Sequence, residues 1–314
     1  MQDTLKHALK RSAPHLLLCS LVVATSAHAE VLVLLPEHGN LAAAGKSVRE
    51  GITAAYYAGT RRPALRFVDS SEQPMDILLA KEIKPNTELV IGPLERQQVG
   101  ELVNIIPSVP VLALNEVPQT QRNVWQFALA PDEDAAALLK QIQNDGVTQL
   151  FVYTAPKFSN GQRFRDALLA SNKLKAADIK TIPPSLKRNE GVLILGDSQW
   201  ASTLQLPHDR VYAPSLVFDR RVPLPTGIQF CDTPALLRAD WPELNALNGQ
   251  QAAGSIALRL RAFGADAWQI SLLLLDHAPS ARFAGRTGTI VINNQDIRRT
   301  PVCFQATQGG LVPR

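Results

Sequence analysis

Gly45-Lys46-Ser47 follows the apolar run Val31–Leu35 at a short distance, and its residue types are those that cradle nucleotide phosphates. A P-loop needs four residues between its first glycine and the Gly-Lys pair, so that successive backbone N–H groups wrap the phosphates. Here five residues separate Gly39 from Gly45. The Leu41-Ala42-Ala43-Ala44 stretch among them favours helix over open loop. Asn40 is the expected N-cap, and Leu41, Ala44, Val48, Ile52 and Ala55 then share one helical stripe. Lys46 is therefore expected inside a helix, away from any phosphate.

Other reactive residue types are sparse. Glu37-His38 pairs a carboxylate with an imidazole, but no nucleophile stands at a recognisable spacing, and no Gly-x-Ser-x-Gly elbow occurs. His38, His208 and His277 are far apart, each without a second ligand at helical or strand spacing, so no metal site is expected. No cofactor is expected either, and the chain is read as a non-enzyme. Cys231 and Cys303 could form a disulfide in an oxidising compartment or remain buried thiols; spacing leaves both open.

Residues 1–29 have the form of a cleaved secretory signal. Lys6, Lys10 and Arg11 precede the apolar stretch Leu16–Val23, and Ala27-His28-Ala29 supplies a cleavage site. Leu16-Leu17-Leu18-Cys19 places leucine where a lipidation signal needs a small residue, so a periplasmic protein without an outer-membrane lipid anchor is expected. The mature chain would keep about 285 residues. Loss of three cations and one anion would lower its formal charge from +4 to about +2. That balance, without aromatic-interleaved basic runs, argues against a nucleic-acid partner. No later apolar run is long enough for a transmembrane segment.

The elements that must position these residues alternate. Strands are expected at Val31–Leu35, Leu65–Asp69, Leu89–Ile91, Val111–Leu114 and Val124–Phe127, with helices at Leu41–Tyr57, Met75–Lys81 and Glu95–Ile105. Most of the strands are continuous apolar runs, as in parallel sheets buried on both faces. The alternation restarts at Pro131, where proline and three acids suit a helix N-terminus. Strands Leu150–Tyr153, Gly191–Leu195 and Arg210–Tyr212 follow, with a helix at Gly161–Ser171. Two helices broken at Gly264 are expected in 250–276, then strands Gly288–Ile292 and Val302–Ala306 around an Asn293-Asn294 turn. The fold class is α/β: a bilobal arrangement of two doubly wound parallel-sheet lobes joined by a multi-crossover hinge. The expected division places 30–128 and 234–280 in lobe 1, and 129–233 and 281–314 in lobe 2.

Several segments carry a family resemblance. Ile91-Gly92-Pro93, Val111–Asn115, Phe127–Asp134 and Phe283–Gly288 resemble type 1 periplasmic binding proteins. Leu41–Ile52 with Ala54–Tyr57, Ile91–Leu94, Gly227–Pro234 and Leu260–Trp268 resemble the C-terminal domain of LpoA-type penicillin-binding protein activators. The resemblance implies a non-catalytic regulator of peptidoglycan synthesis that activates a class A penicillin-binding protein by direct contact. Members of that family are usually lipid-anchored and carry an N-terminal helical-repeat domain, whereas here the signal runs straight into the first strand. The alternative is a periplasmic solute-binding receptor for an amino-acid-like ligand of an ABC transporter.

Ligands of such folds sit where loops leave the carboxyl ends of strands. The cleft-lining candidates are His38, Gly39, Asn40, Pro93, Leu94, Asn115, Glu116, Thr154, Phe158, Asp197 and Ser215. An amino-acid receptor would present hydroxyls and backbone N–H groups after the third strand; this sequence offers Leu94, Glu95 and Arg96. Trp200, Phe218, Arg220 and Arg221 are candidates for a partner surface, because aromatic and arginine side chains dominate interface hot spots.

Overall fold

A computed structural model describes residues 29–170, 173–249 and 254–314. Most of the expected signal, with Cys19, lies outside the described residues. The first lobe runs β1 (Glu30–Leu35), α1 (Ala42–Ala58), β2 (Ala64–Asp69), α2 (Met75–Glu82), β3 (Thr87–Ile91), α3 (Arg96–Leu102), β4 (Val111–Ala113) and β5 (Val124–Gln126). Its five strands are parallel in the order β2-β1-β3-β4-β5. Alternation along β1 explains why it is apolar from Val31 to Leu35. Val31, Val33 and Leu35 join a core with Val48, Ile52 and Trp268, while Leu32 and Leu34 join another with Met75, Leu78 and Val99.

The second lobe contains α4 (Pro131–Asn144), β6 (Gln149–Thr154), α5 (Gln162–Leu169), β7 (Lys175–Asp178), β8 (Glu190–Leu195), α6 (Ser198–Ala201), β9 (Val211–Tyr212) and β10 (Ile228–Asp232). Next come α7 (Pro242–Gly249), α8 (Ser255–Leu275), β11 (Ser280–Ala284), β12 (Thr289–Asn293), β13 (Asp296–Thr300), β14 (Val302–Thr307) and β15 (Gly310–Pro313). The second sheet has the order β15-β14-β10-β9-β8-β6-β7, parallel except for β14 and β15. Strands β11, β12 and β13 form a separate antiparallel sheet. Ile290, Ile292 and Ile297 of that sheet belong to the first lobe's core, so by packing the chain returns to the second sheet at Val302.

Three expectations are corrected. Asn40 does not cap α1; residues Gly39–Leu41 form a 3-10 turn, and the residue at the cap position is Leu41, without a side-chain cap bond. Helix α8 runs unbroken through Gly264. The glycine is there for close approach: a Cβ on Gly264 would stand 2.1 Å from the Val48 carbonyl oxygen of α1, and one on Gly51 would stand 1.9 Å from that of Arg261. The third correction is β7, a strand that sequence patterning does not predict. Its residues Lys175–Asp178 are all exposed, so no apolar periodicity marks them.

Candidate functional site

The two lobes face each other across charged side chains that no single segment supplies. Glu116, just after β4, and Asp132, in the first turn of α4, both accept from the guanidinium of Arg163 on α5. Arg163 thus links the first lobe to the second beside a hollow of about 170 Å³ that also touches Leu94, Asn115 and Phe263. Phe263 of α8 stacks on Phe127 with centroids 4.8 Å apart, closing the apolar floor.

A second, larger cavity, about 260 Å³, lies between α4, α8 and β10. Arg299 of β13 reaches Asp134 Oδ1 at 2.5 Å, and its backbone N–H donates to Glu133 Oε1 at 2.7 Å. Arg259 of α8 donates to Asp232 at 2.8 and 2.6 Å, and to the carbonyls of Ser215 and Phe218 at 2.8 and 3.1 Å. Burial pushes the Glu133 carboxyl up to about 7, against the opposing pull of the Arg299 charge. Removing one member of such a buried pair typically costs about 3–5 kcal/mol, because its partner is left charged and dry.

The predicted cleft residues fall into separate groups. Leu94, Asn115 and Glu116 do meet, at the smaller hollow. Pro93 is buried behind them, its carbonyl accepting from the Leu114 N–H. Ser215 lines the larger cavity and offers its hydroxyl to Asp134 at 3.4 Å. Thr154 is exposed at the end of β6, Phe158 packs on the second lobe's core, and Asp197 caps α6 by accepting from the Trp200 N–H. Among these three, none lines either cavity.

His38, Gly39 and Asn40 stand apart, at the exposed rim where β1 ends. There the His38 ring approaches Asp69 at 2.8 Å, and the hydrogen bond to Asp69 raises the pKa of the imidazole. Ser71 is adjacent, but its hydroxyl donates to Asp69 at 2.7 Å and not to the ring, so the three do not form a Ser–His–Asp relay. Glu72 brings a second carboxylate into this group. Sequence spacing assigns His38 no partner, because β1 and β2 meet only in the folded sheet.

Two partner-surface candidates are also relocated. Phe218 is buried and stacks on Phe230 at 5.4 Å; Trp200 is half-buried over Tyr153 at the same centroid distance. Their apolar faces are taken by the second core. Arg220 and Arg221 are exposed. Arg221 is paired with Asp219, whose carboxyl the guanidinium hydrogen bonds lower to about 2. Gly45 and Lys46 lie inside α1 as expected, where a Cβ on Gly45 would stand 2.1 Å from the Pro36 carbonyl oxygen. Cys231 and Cys303, directly opposite on β10 and β14, are joined as a disulfide.

Sequence reasoning misses Arg163, Asp232, Arg259 and Arg299. The acidic run Asp132–Asp134 is visible in the sequence, but only as a helix start. Its cationic partners arrive from up to 166 residues away.

Two α/β lobes facing across a charged cleft, with the chain passing between them repeatedly, define a protein of periplasmic-binding-protein-like fold. The chain belongs to the LppC putative lipoprotein family, which it matches over residues 2–181. Penicillin-binding protein activator LpoA of Pasteurella multocida is 24% identical over 318 residues, 90% of this chain and 54% of that protein. The chain spans about half the length of the curated relatives it matches. The C-domain of LpoA from Haemophilus influenzae, described as a regulator of PBP1A, has a TM-score of 0.73 at 21% identity, covering 91% of this chain and 100% of that one. A putative branched-chain amino acid ABC transporter from Chromobacterium violaceum has a TM-score of 0.69 at 24% identity, covering 88% and 99%. At these identities the structural likenesses establish the fold. Among the described residues, no helix is long and apolar enough to cross a membrane.

Proposed function

We propose that this chain is a non-catalytic regulator of peptidoglycan synthesis that activates a class A penicillin-binding protein by direct contact. One observation carries the choice over a solute receptor. Where a receptor would grip a ligand carboxylate, after β3, Leu94 is buried with its carbonyl accepting from Asn115, and Glu95 opens α3. An acceptor carbonyl and a carboxylate repel an anion. The Arg163 bridge stands across the same hollow, with both of its carboxylate partners already engaged. The names of the LpoA relatives support the same reading.

Activation is then differential binding, in which the regulator favours the synthase conformation competent for cross-linking. Coupling of about 1–3 kcal/mol, roughly 5–150-fold, is typical. The protein added to a purified cognate class A synthase should raise cross-linking, read as the fraction of dimeric muropeptides. Reversing the exposed Arg220 and Arg221 to glutamate should reduce it. Unchanged cross-linking with no complex at micromolar concentration would exclude this function, and saturable amino-acid binding in its place would select the receptor. The working form begins at Glu30 in the periplasm without a lipid. Intact mass of the processed protein should show loss of residues 1–29; a diacylated species beginning at Cys19 would refute that.

A further inference from the structure

The rim cluster at the end of β1 and β2 has a feature that the regulatory reading does not use. His38, Asp69 and Glu72 each offer a ligand atom, and these atoms lie within 4.8 Å of one another. Two of them, His38 Nδ1 and Asp69 Oδ2, are 2.8 Å apart. We propose that His38, Asp69 and Glu72 form a zinc-binding site on the first lobe.

The orientation of Asp69 supports this. Its Oδ1 accepts from the Glu37 N–H at 2.9 Å, the Ser71 N–H at 2.9 Å and the Ser71 hydroxyl at 2.7 Å. One oxygen is therefore held by the protein, and the other is turned toward the imidazole. Hydrogen bonds of this kind fix ligating carboxylates in metal sites and set their aim before the ion arrives. The His38 N–H also donates to the Ser71 hydroxyl, at 3.1 Å, tying the loop after β1 to the loop after β2. The scaffold is thus stitched across two loops. Glu72 is exposed, and its carboxylate oxygen stands within 4.8 Å of the other two ligand atoms.

The donor set selects the metal. One imidazole nitrogen with two carboxylates suits zinc, and three protein ligands leave a coordination position for water. Magnesium and calcium prefer all-oxygen shells. An ion at this position takes the place of the proton between Nδ1 and Oδ2, which leaves to solvent. Two carboxylate charges and a neutral imidazole offset the charge of a divalent cation. Glu37 is adjacent but is engaged by Arg49 at 2.7 Å, so it adds field and not a ligand.

The test is calorimetric titration of zinc chloride into the untagged, chelator-stripped chain. The wild type should bind zinc at a site that about 1 mM magnesium or calcium does not block. His38→Ala and Glu72→Gln should each weaken that site at least about tenfold. Ser71→Ala, which removes the hydroxyl bond to Asp69 and the acceptor for the Glu37 and His38 N–H groups, should weaken it by roughly 10–100-fold. His208→Ala with His277→Ala should leave it intact. Melting without metal should be the same for wild type and His38→Ala, since the ring is exposed and a folding defect is thereby separated from lost binding. Equal zinc affinity in the wild type and His38→Ala, or in the wild type and Glu72→Gln, would overturn the site. So would the absence of zinc binding by the wild type. None of these results depends on synthase activation.

Discussion

Glu133 sits in the first turn of α4, buried against Arg299, and its carboxyl titrates near 7 in the folded chain. The ordinary value is 4.5, so the folded state holds this proton more tightly than the unfolded one. The sign follows. The stability this proton contributes is fully present below about pH 4.5 and is lost as pH rises through about 7. Glu133→Gln cannot ionise, yet its amide oxygen can still accept from the Arg299 N–H. The variant should therefore lose less stability between pH 5 and 8 than the wild type. Melting temperatures across that range decide it; parallel curves for the two proteins would rule it out. Sequence shows this residue only as one of three acids at a helix start. Its raised pKa comes from burial, against the opposing charge of Arg299, and both are supplied by tertiary packing.

At the scale of elements, α1 and α8 are the central pair. They approach closely because glycines stand on both sides of the contact. Gly264→Ala would drive a methyl group into the Val48 carbonyl of α1, so the helices must separate. The expected loss is about 1–3 kcal/mol or more, as for other overpacked cores, measured by urea unfolding. Gly100→Ala is the matched control. Gly100 lies within α3, and a Cβ added there would meet nothing within 4 Å. Alanine there should stabilise by about 0.5–1 kcal/mol through helix propensity. Opposite signs from one substitution type would show that contact, not propensity, sets the role of Gly264. Sequence alone suggests a helix break at Gly264, because a lone glycine carries no record of what packs on it.

For the whole molecule, the Cys231–Cys303 bond ties β14, near the end of the chain, to the centre of the second sheet across a separation of 72 residues. By the chain-entropy argument, closing a loop of that length in the unfolded state stabilises by about 4 kcal/mol. Cys231→Ala with Cys303→Ala should lower unfolding free energy by an amount of that order, with the fold and the denaturant slope read alongside. A double variant as stable as the wild type would show that the bond is dispensable. The first-lobe sheet, outside the closed loop, should retain its hydrogen-exchange protection better than β14 and β15.

The division between what is legible in the chain and what is not follows from the range of the interactions. Sequence by itself determined the α/β class, the strand–helix alternation of both lobes and the helical setting of Gly45-Lys46-Ser47. Each depends on apolar periodicity or on residues a turn apart, and burial on both faces of a parallel sheet writes a continuous apolar run. The tertiary structure alone decided that Arg163 bridges Glu116 and Asp132, that Arg299 meets Glu133 and Asp134, and that His38 stands against Asp69. It also decided that Phe218 is core and that the two cysteines face each other. Parallel strands joined by helical crossovers bring together residues whose separation in the chain carries no periodic signal. An ion pair across such a crossover leaves only two ordinary charged residues in the sequence.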